Sequence, residues 1–333
     1  MSIKVPGPTP HGPVIHTSAL SKHFGRTRAL DELTLDVPAG VVFGYLGPNG
    51  AGKTTTIRLL MGLLRATSGH AEVLGLNAWT ERSALHAKVG YLPGDFVAYE
   101  RLTVEDYLRY LARLRHGAGP GVHWPYVQGL AGRFELDLSR RWGSLSSGNR
   151  QKAGIVQAFM HRPSLLVLDE PTKGLDPLMQ REFLELVREA REEGQTVFLS
   201  SHDLSEVEQV ADMVGIVRGG ALAVVETVAA MKGRALRRLT LTFAGAPPAE
   251  EIARIPGVRD VRVTGPRLHL SVTGSLAEVL RVAAAHRLDD VVTHEADLEA
   301  LFLAYYADAA ADAYAAVPAP TATRADRHGP VRS

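Results

Sequence analysis

The chain has 333 residues, room for two domains, and its 45% apolar and 22% charged residues are ordinary for a globular protein. A net charge of +1 gives no global attraction to nucleic acid or anionic membrane, and the lack of cysteine excludes disulfides, thiolate metal sites, iron–sulfur clusters and thiol catalysis. No apolar run approaches the ~20 residues that span a bilayer, and Met1–Pro13, rich in Pro and Gly, lacks the apolar core of a secretory signal. The expectation is a protein kept in the cytoplasm, with no nucleic-acid partner, that reaches any membrane through another subunit.

In chain order, residues 1–13 read as a flexible lead-in and Val14–Ala19, Leu33–Val37 and Val41–Leu46 as strands, with Pro38-Ala39-Gly40 as a turn. A Gly-rich loop follows the third strand, and Ile57, Leu59, Leu60, Leu63 and Leu64 carry helical spacing over Lys53–Leu64. A mostly helical stretch comes next, about 95–160. Within it Val104–Arg115 and Ser147–Met160 are helices, and residues 117–125, with three glycines and two prolines, are loop-like. Leu165–Leu168 and Val197–Ser200 are apolar strands of the buried parallel kind. Met179–Arg191 and Leu204–Ala211 are helices, and Met213–Val217 is a strand. Strands alternating with helices predict an α/β fold with a mostly parallel sheet.

Composition shifts near Met231–Arg238. Beyond it the pattern is strand Leu239–Phe243, helix Pro248–Ile255, strands Val258–Thr264 and Arg267–Thr273, helix Leu276–Ala285 and strand Asp290–His294. That β-α-β-β-α-β order fits a small ferredoxin-like module over 233–306, closed by a helix at Leu298–Tyr306. Residues 307–333, rich in Ala and Pro, read as a disordered tail.

Gly47-Pro48-Asn49-Gly50-Ala51-Gly52-Lys53-Thr54 matches G-x-x-x-x-G-K-[ST] between a strand and a helix. Glycines let successive N–H groups turn inward onto phosphate oxygens, and the helix start, through Thr55, points its positive end at the anion. Lys53 would reach the β- and γ-phosphates, and the Thr54 hydroxyl would go to Mg²⁺. The apolar strand Leu165–Leu168 ends in Asp169-Glu170 at the sheet edge where such folds bind ligands. Asp169 would hold Mg²⁺, and Glu170 would orient or deprotonate the attacking water.

Many nucleotide hydrolases share those two features, and the surrounding residues choose among them. Lys22-His23-Phe24-Gly25 lies upstream; Leu145-Ser146-Ser147-Gly148-Asn149-Arg150-Gln151, Gly174-Leu175-Asp176-Pro177 and Ser200-Ser201-His202-Asp203 lie downstream. This set, in this order, resembles the nucleotide-binding subunits of ABC transporters over about residues 14–225. The resemblance implies a phosphate-loop ATPase cassette over 14–232 with a helical subdomain. Phe24 would stack on adenine. Ser146, Ser147 and Gly148 would form the signature that caps the γ-phosphate held by an opposite subunit. Asp176 would link the two sites, and His202 would contact the γ-phosphate. Each position also has a plain structural use: Phe24 in a core, Ser146 as a helix N-cap, His202 beside a helix cap.

Two departures stand out. The family's signature usually runs Leu-Ser-Gly-Gly-Gln; here Ser147 replaces a glycine, and strain is expected if that position needs φ > 0, while Asn149 replaces glutamine on a shorter stem. After Gly90-Tyr91-Leu92-Pro93, where the family carries a glutamine, this chain has Gly94 and then Asp95. The resemblance implies ATP and Mg²⁺ as ligands, a head-to-tail homodimer, and a separate membrane permease on whose cytoplasmic face the chain would sit. The C-terminal module, ending at Asp297–Tyr306, resembles the daunorubicin-resistance-like, antibiotic-exporting branch that works with ABC-2-type permeases. A soluble ABC ATPase, with a regulatory or other non-transport role, is the competing reading.

Overall fold

The computed structural model describes residues 12–96, 98–115, 122–234 and 236–294. The expected lead-in before residue 12, the closing helix Leu298–Tyr306 and the tail lie outside the described residues. The chain opens with β1 (Ile15–Phe24), β2 (Thr27–Val37), β3 (Val42–Leu46), α1 (Lys53–Leu60), β4 (Ser68–Val73), β5 (Leu76–Asn77), α2 (Arg82–Lys88) and β6 (Val89–Leu92). Helices α3 (Val104–Arg115), α4 (Trp124–Arg133) and α5 (Ser147–Phe159) follow. Then come β7 (Leu165–Asp169), α6 (Pro177–Glu192), β8 (Thr196–Ser201), α7 (Leu204–Glu208), β9 (Met213–Arg218), β10 (Ala221–Thr227) and α8 (Val228–Arg234). The last group is β11 (Leu236–Phe243), α9 (Ala249–Ala253), β12 (Val258–Thr264), β13 (Arg267–Thr273), α10 (Ala277–Ala285) and β14 (Leu288–His294).

A six-stranded sheet in the order β10-β9-β3-β8-β7-β6 forms the middle layer, parallel throughout except for β10 at its edge. Its strands β3, β7 and β8 are buried along their whole lengths, which is why they read as unbroken apolar runs. Alternate residues split between two cores. Val42, Leu46, Leu166, Leu168, Val197 and Leu199 pack toward Leu108, Phe159 and Phe183 of the helical side. Phe43, Tyr45, Leu165, Val167 and Phe198 pack toward Ile57 and Leu60 of α1 and toward β2. The Phe43 and Phe198 rings stack 5.6 Å apart across neighbouring strands. Each such burial contributes roughly 2–3 kcal/mol. A second sheet, β2-β1-β4-β5, covers the α1 side.

Helix α1 ends at Leu60, short of the expected Leu64, because Gly62 takes φ 60 and breaks the helical path. Helix α4 occupies part of the stretch that looked like loop. Pro125 falls in its first turn, where a missing N–H costs nothing, so this proline starts a helix where it seemed to exclude one. Helix α7 stops at Glu208, three residues early, with β9 beginning at Met213. Beyond α8, four antiparallel strands in the order β12-β13-β11-β14 follow the expected β-α-β-β-α-β sequence. Their own core joins Leu239, Leu241, Phe243, Leu268, Leu270 and Val272 to Ile252 of α9 and Val279 and Val282 of α10. Among the described residues no helix is long and apolar enough to cross a membrane.

Candidate active site

The order β3-β8-β7 brings three carboxyl-terminal strand ends side by side, with Leu46 opposite Ser201 and Asp169 opposite Ser200. That edge is where parallel sheets place their ligands. The loop leaving β3 enters α1 through Gly52, whose φ of 106 is closed to ordinary side chains and where a Cβ would stand 2.6 Å from the Ala29 carbonyl. The β1–β2 hairpin is tied to this loop through Gly220: its N–H donates to Ala51 O at 3.0 Å, and its carbonyl accepts from Asp31 N at 2.9 Å. Phe24, at the end of β1, is half-exposed with the Lys22 ammonium 5.1 Å from its ring centre. An exposed aromatic face suits a stacked base, although Phe24 is not among the walls of the hollow over the phosphate loop.

Lys53 is buried and donates to the carbonyls of Gly47 at 2.6 Å and Pro48 at 3.3 Å. It also lies 3.3 Å from Glu170 Oε1. The other carboxylate oxygen, Glu170 Oε2, meets His202 Nδ1 at 2.9 Å. Lys53, Glu170 and His202, proposed from the sequence to act on one phosphate, are therefore linked in one row. Glu170 has φ 48, a left-handed conformation that costs a non-glycine residue ~1–3 kcal/mol and persists only where the surroundings enforce it. Here its N–H donates to Ser200 O at 3.2 Å and to Ser200 Oγ at 3.1 Å. Its carbonyl accepts from Gln151 Nε2 at 3.2 Å.

Asp169 is buried, and Ser200 Oγ donates to its Oδ1 at 2.6 Å. Its other oxygen, Oδ2, is buried with no hydrogen-bond partner. Gly94 stands against that oxygen: a Cβ there would be 3.1 Å from it. A buried carboxylate oxygen left unpaired is costly unless a cation or water takes it. Together with the exposed Thr54 hydroxyl on α1, it is the hard-oxygen donor type that Mg²⁺ accepts. Among the described residues no group of three or more His, Asp or Glu could hold a metal. Burial, with the Asp169 charge adding to it, pushes the nearby Tyr91 hydroxyl up to about 12, against the opposing charge of Arg58.

The hollow over the loop, about 170 Å³, is lined by Ala29, Pro48, Asn49, Gly50, Gly52, Lys53, Thr54, Thr55 and Glu170. Ser146, Ser147, Gly148 and Asp176 are not among its walls. Ser146 is the N-cap of α5, its Oγ accepting from Asn149 N at 3.3 Å. Ser147 takes the first helical position and carries no positive φ, so the strain anticipated there is absent. Gly148 is needed for contact: a Cβ would lie 2.8 Å from the Gly174 carbonyl, which joins the start of α5 to the segment before α6. Asp176 caps α6, accepting from the N–H groups of Leu178 at 3.1 Å and Met179 at 3.0 Å. Those two bonds, that from Met179 foremost, hold its carboxyl below the usual range.

The sequence reading overlooked Ser200 and Gln151. Ser200 bridges Asp169 and Glu170 through one hydroxyl that donates and accepts. It lay in the quoted Ser200-Ser201-His202-Asp203 run, and its position at the buried end of an apolar strand was the available signal. Gln151 closes the quoted Leu145–Gln151 run, but its partners, Glu170 and Pro171, lie across the tertiary fold.

A family model described as ABC transporter matches residues 30–173. The bacitracin transport ATP-binding protein BcrA of Bacillus licheniformis is 38% identical over 214 residues, covering 63% of this chain and 68% of that protein. The linearmycin resistance ATP-binding protein LnrL of Bacillus subtilis is 29% identical over 306 residues, 87% of this chain and 97% of that one. A solved ATP-binding subunit of an ABC transporter superposes with a TM-score of 0.61 at 31% identity, covering 66% of this chain and 92% of the other.

Proposed function

This chain belongs to the ABC transporter family as an ATP-hydrolysing cassette, and from that premise we propose that two copies close head to tail around two ATP molecules to drive a separate membrane permease. The observation that carries the reading is the split of the site. The phosphate loop, Lys53 and Glu170 line one hollow, with His202 bonded to Glu170, while neither that hollow nor that bonded row includes the start of α5. In a two-chain arrangement Ser146 and Gly148 of one copy meet the phosphates held by the other, with Asp176 beside them.

Binding exchanges the Lys53 bonds to Gly47 and Pro48 for bonds to phosphate oxygens, while the loop N–H groups supply the remaining donors. Phe24 stacks on the base. Asp169 and Thr54 hold Mg²⁺, which when bound neutralises charge on the phosphates. Glu170, kept in place from both its backbone groups, presents a carboxylate oxygen to the attacking water. His202 holds that carboxylate through Nδ1, leaving Nε2 for a phosphate oxygen.

Residues 14–232 form the cassette and 233–306 an accessory module that supports dimerisation or regulation. The chain works on the cytoplasmic face of the membrane, beside an ABC-2-type permease. The names of the relatives, one in bacitracin transport and one in linearmycin resistance, support export of an antibiotic, drug or lipid-like molecule. The test is Glu170→Gln: ATP should be retained in a stable dimer with turnover lost by about 10³-fold, and undiminished hydrolysis overturns the assignment. Co-purification with a polypeptide of about six apolar spans, each ~20 residues long, tests the permease; isolation that never brings one overturns the transport role.

A further inference from the structure

Gln151 lies in the fifth position of α5, a turn beyond the signature, and is buried. Both donors of its side-chain amide are used. Nε2 donates to the Glu170 carbonyl at 3.2 Å and to the Pro171 carbonyl at 2.8 Å. Only the nitrogen end of the amide fits two consecutive carbonyls, so the network sets its orientation. The carbonyl it grips belongs to the residue in the left-handed conformation, φ 48. Ser200 restrains the N–H side of Glu170; on the carbonyl side Gln151 joins the Lys173 N–H, also at 3.2 Å, and is the donor that reaches it from another element. At its amino end the same helix meets the Gly174 carbonyl through Gly148.

We propose that Gln151 is a positioning residue for hydrolysis: it ties the backbone of Glu170 to the signature helix, so that the carboxylate and the start of α5 move as one body. This rests on the reading of Glu170 as the carboxylate that acts on water. Two carbonyl oxygens facing one side chain define what the position requires, a neutral double donor of this length. A glutamate there is isosteric but turns acceptor oxygens toward acceptor oxygens. A methionine has nearly the same length and donates nothing.

The experiment measures kcat and KM for ATP in the full-length chain for Gln151→Met and Gln151→Glu, with thermal unfolding of each and Glu170→Gln in parallel. Because Gln151 touches neither the loop nor the base site, kcat should fall about tenfold in Gln151→Met and further in Gln151→Glu, with KM for ATP unchanged. A role in filling space alone predicts that Gln151→Met, of nearly the same length, matches the wild type. Should Gln151→Glu fail to fold, Gln151→Met, which buries no charge, decides. A Gln151→Met protein whose kcat stays within about twofold of wild type, or whose loss lies wholly in KM, overturns the tie. Full turnover in Glu170→Gln overturns the underlying reading instead, and the two failures are told apart by that variant.

Discussion

Around the phosphate loop the charged side chains close on one another within a single chain: Lys53 with Glu170, Glu170 with His202, Ser200 with Asp169. At the start of α5 and of α6, Ser146 and Asp176 spend their side chains on capping their own helices. The first region is a half-site already assembled before nucleotide arrives. The second is a pair of helix starts capped by their own side chains and lying outside the walls of the hollow. The contrast teaches that chemistry and its trigger are separable here. In the proposed arrangement one chain carries the reacting groups, and the approach of another completes the enclosure.

The sharpest way to break the assembled region is Lys53→Ala. It removes the ammonium from a buried pair and leaves the Gly47 and Pro48 carbonyls without their donor. ATP affinity, read by equilibrium titration, should drop by about 3 kcal/mol, near a hundredfold. Retained affinity would mean the loop N–H groups alone hold the phosphates. The open region is tested by paired substitutions at Ser146. Ser146→Ala should lower stability to denaturant by ~1 kcal/mol through loss of the cap, whereas Ser146→Asp keeps a good cap and should cost almost nothing. Turnover should rank the other way, with Ser146→Asp the worse by about tenfold or more, because a carboxylate there repels the partner's phosphate. If turnover simply follows stability, Ser146 is a cap and nothing else.

The smallest effect belongs to Glu206, which accepts from Thr172 Oγ1 at 2.7 Å next to the row. Burial, above all, raises its carboxyl above 4.5. From 4.5 up to that raised value the native chain therefore binds more protons than the unfolded one, so this group's contribution to stability falls as pH rises through the window. Glu206→Gln keeps the acceptor oxygen and has no charge to bury. Denaturant titrations at pH 4 and pH 8 should show it gaining ~0.5 kcal/mol relative to wild type at the higher pH only.

The assembled region was the more legible of the two. Gly47, Gly52 and Lys53 announce themselves because only certain residues fit a tight turn around an anion, and Asp169-Glu170 because the two acids close an apolar strand downstream of such a loop. Ser146 was legible as a helix N-cap as well as an anion site, but the close contact of Gly148 depends on where the fold brings Gly174. The grip of Gln151 and the φ of Glu170 were invisible, since both arise where α5 meets the segment leaving β7, and nothing in local spacing records that meeting. Helix α4 was hidden by Pro125, whose meaning depends on which side of a helix boundary it falls.

Strand β8 lies between β3 and β7, with every residue buried, and supplies both Ser200 and the approach to His202. Interior strands of this kind are the slowest parts of a protein to exchange their amide hydrogens, because they are exposed only when the whole sheet unfolds. The reacting groups are therefore anchored to the last part of the cassette to come apart. Fraying at the surface leaves Asp169 and Glu170 in place, because both are held by Ser200 on this interior strand.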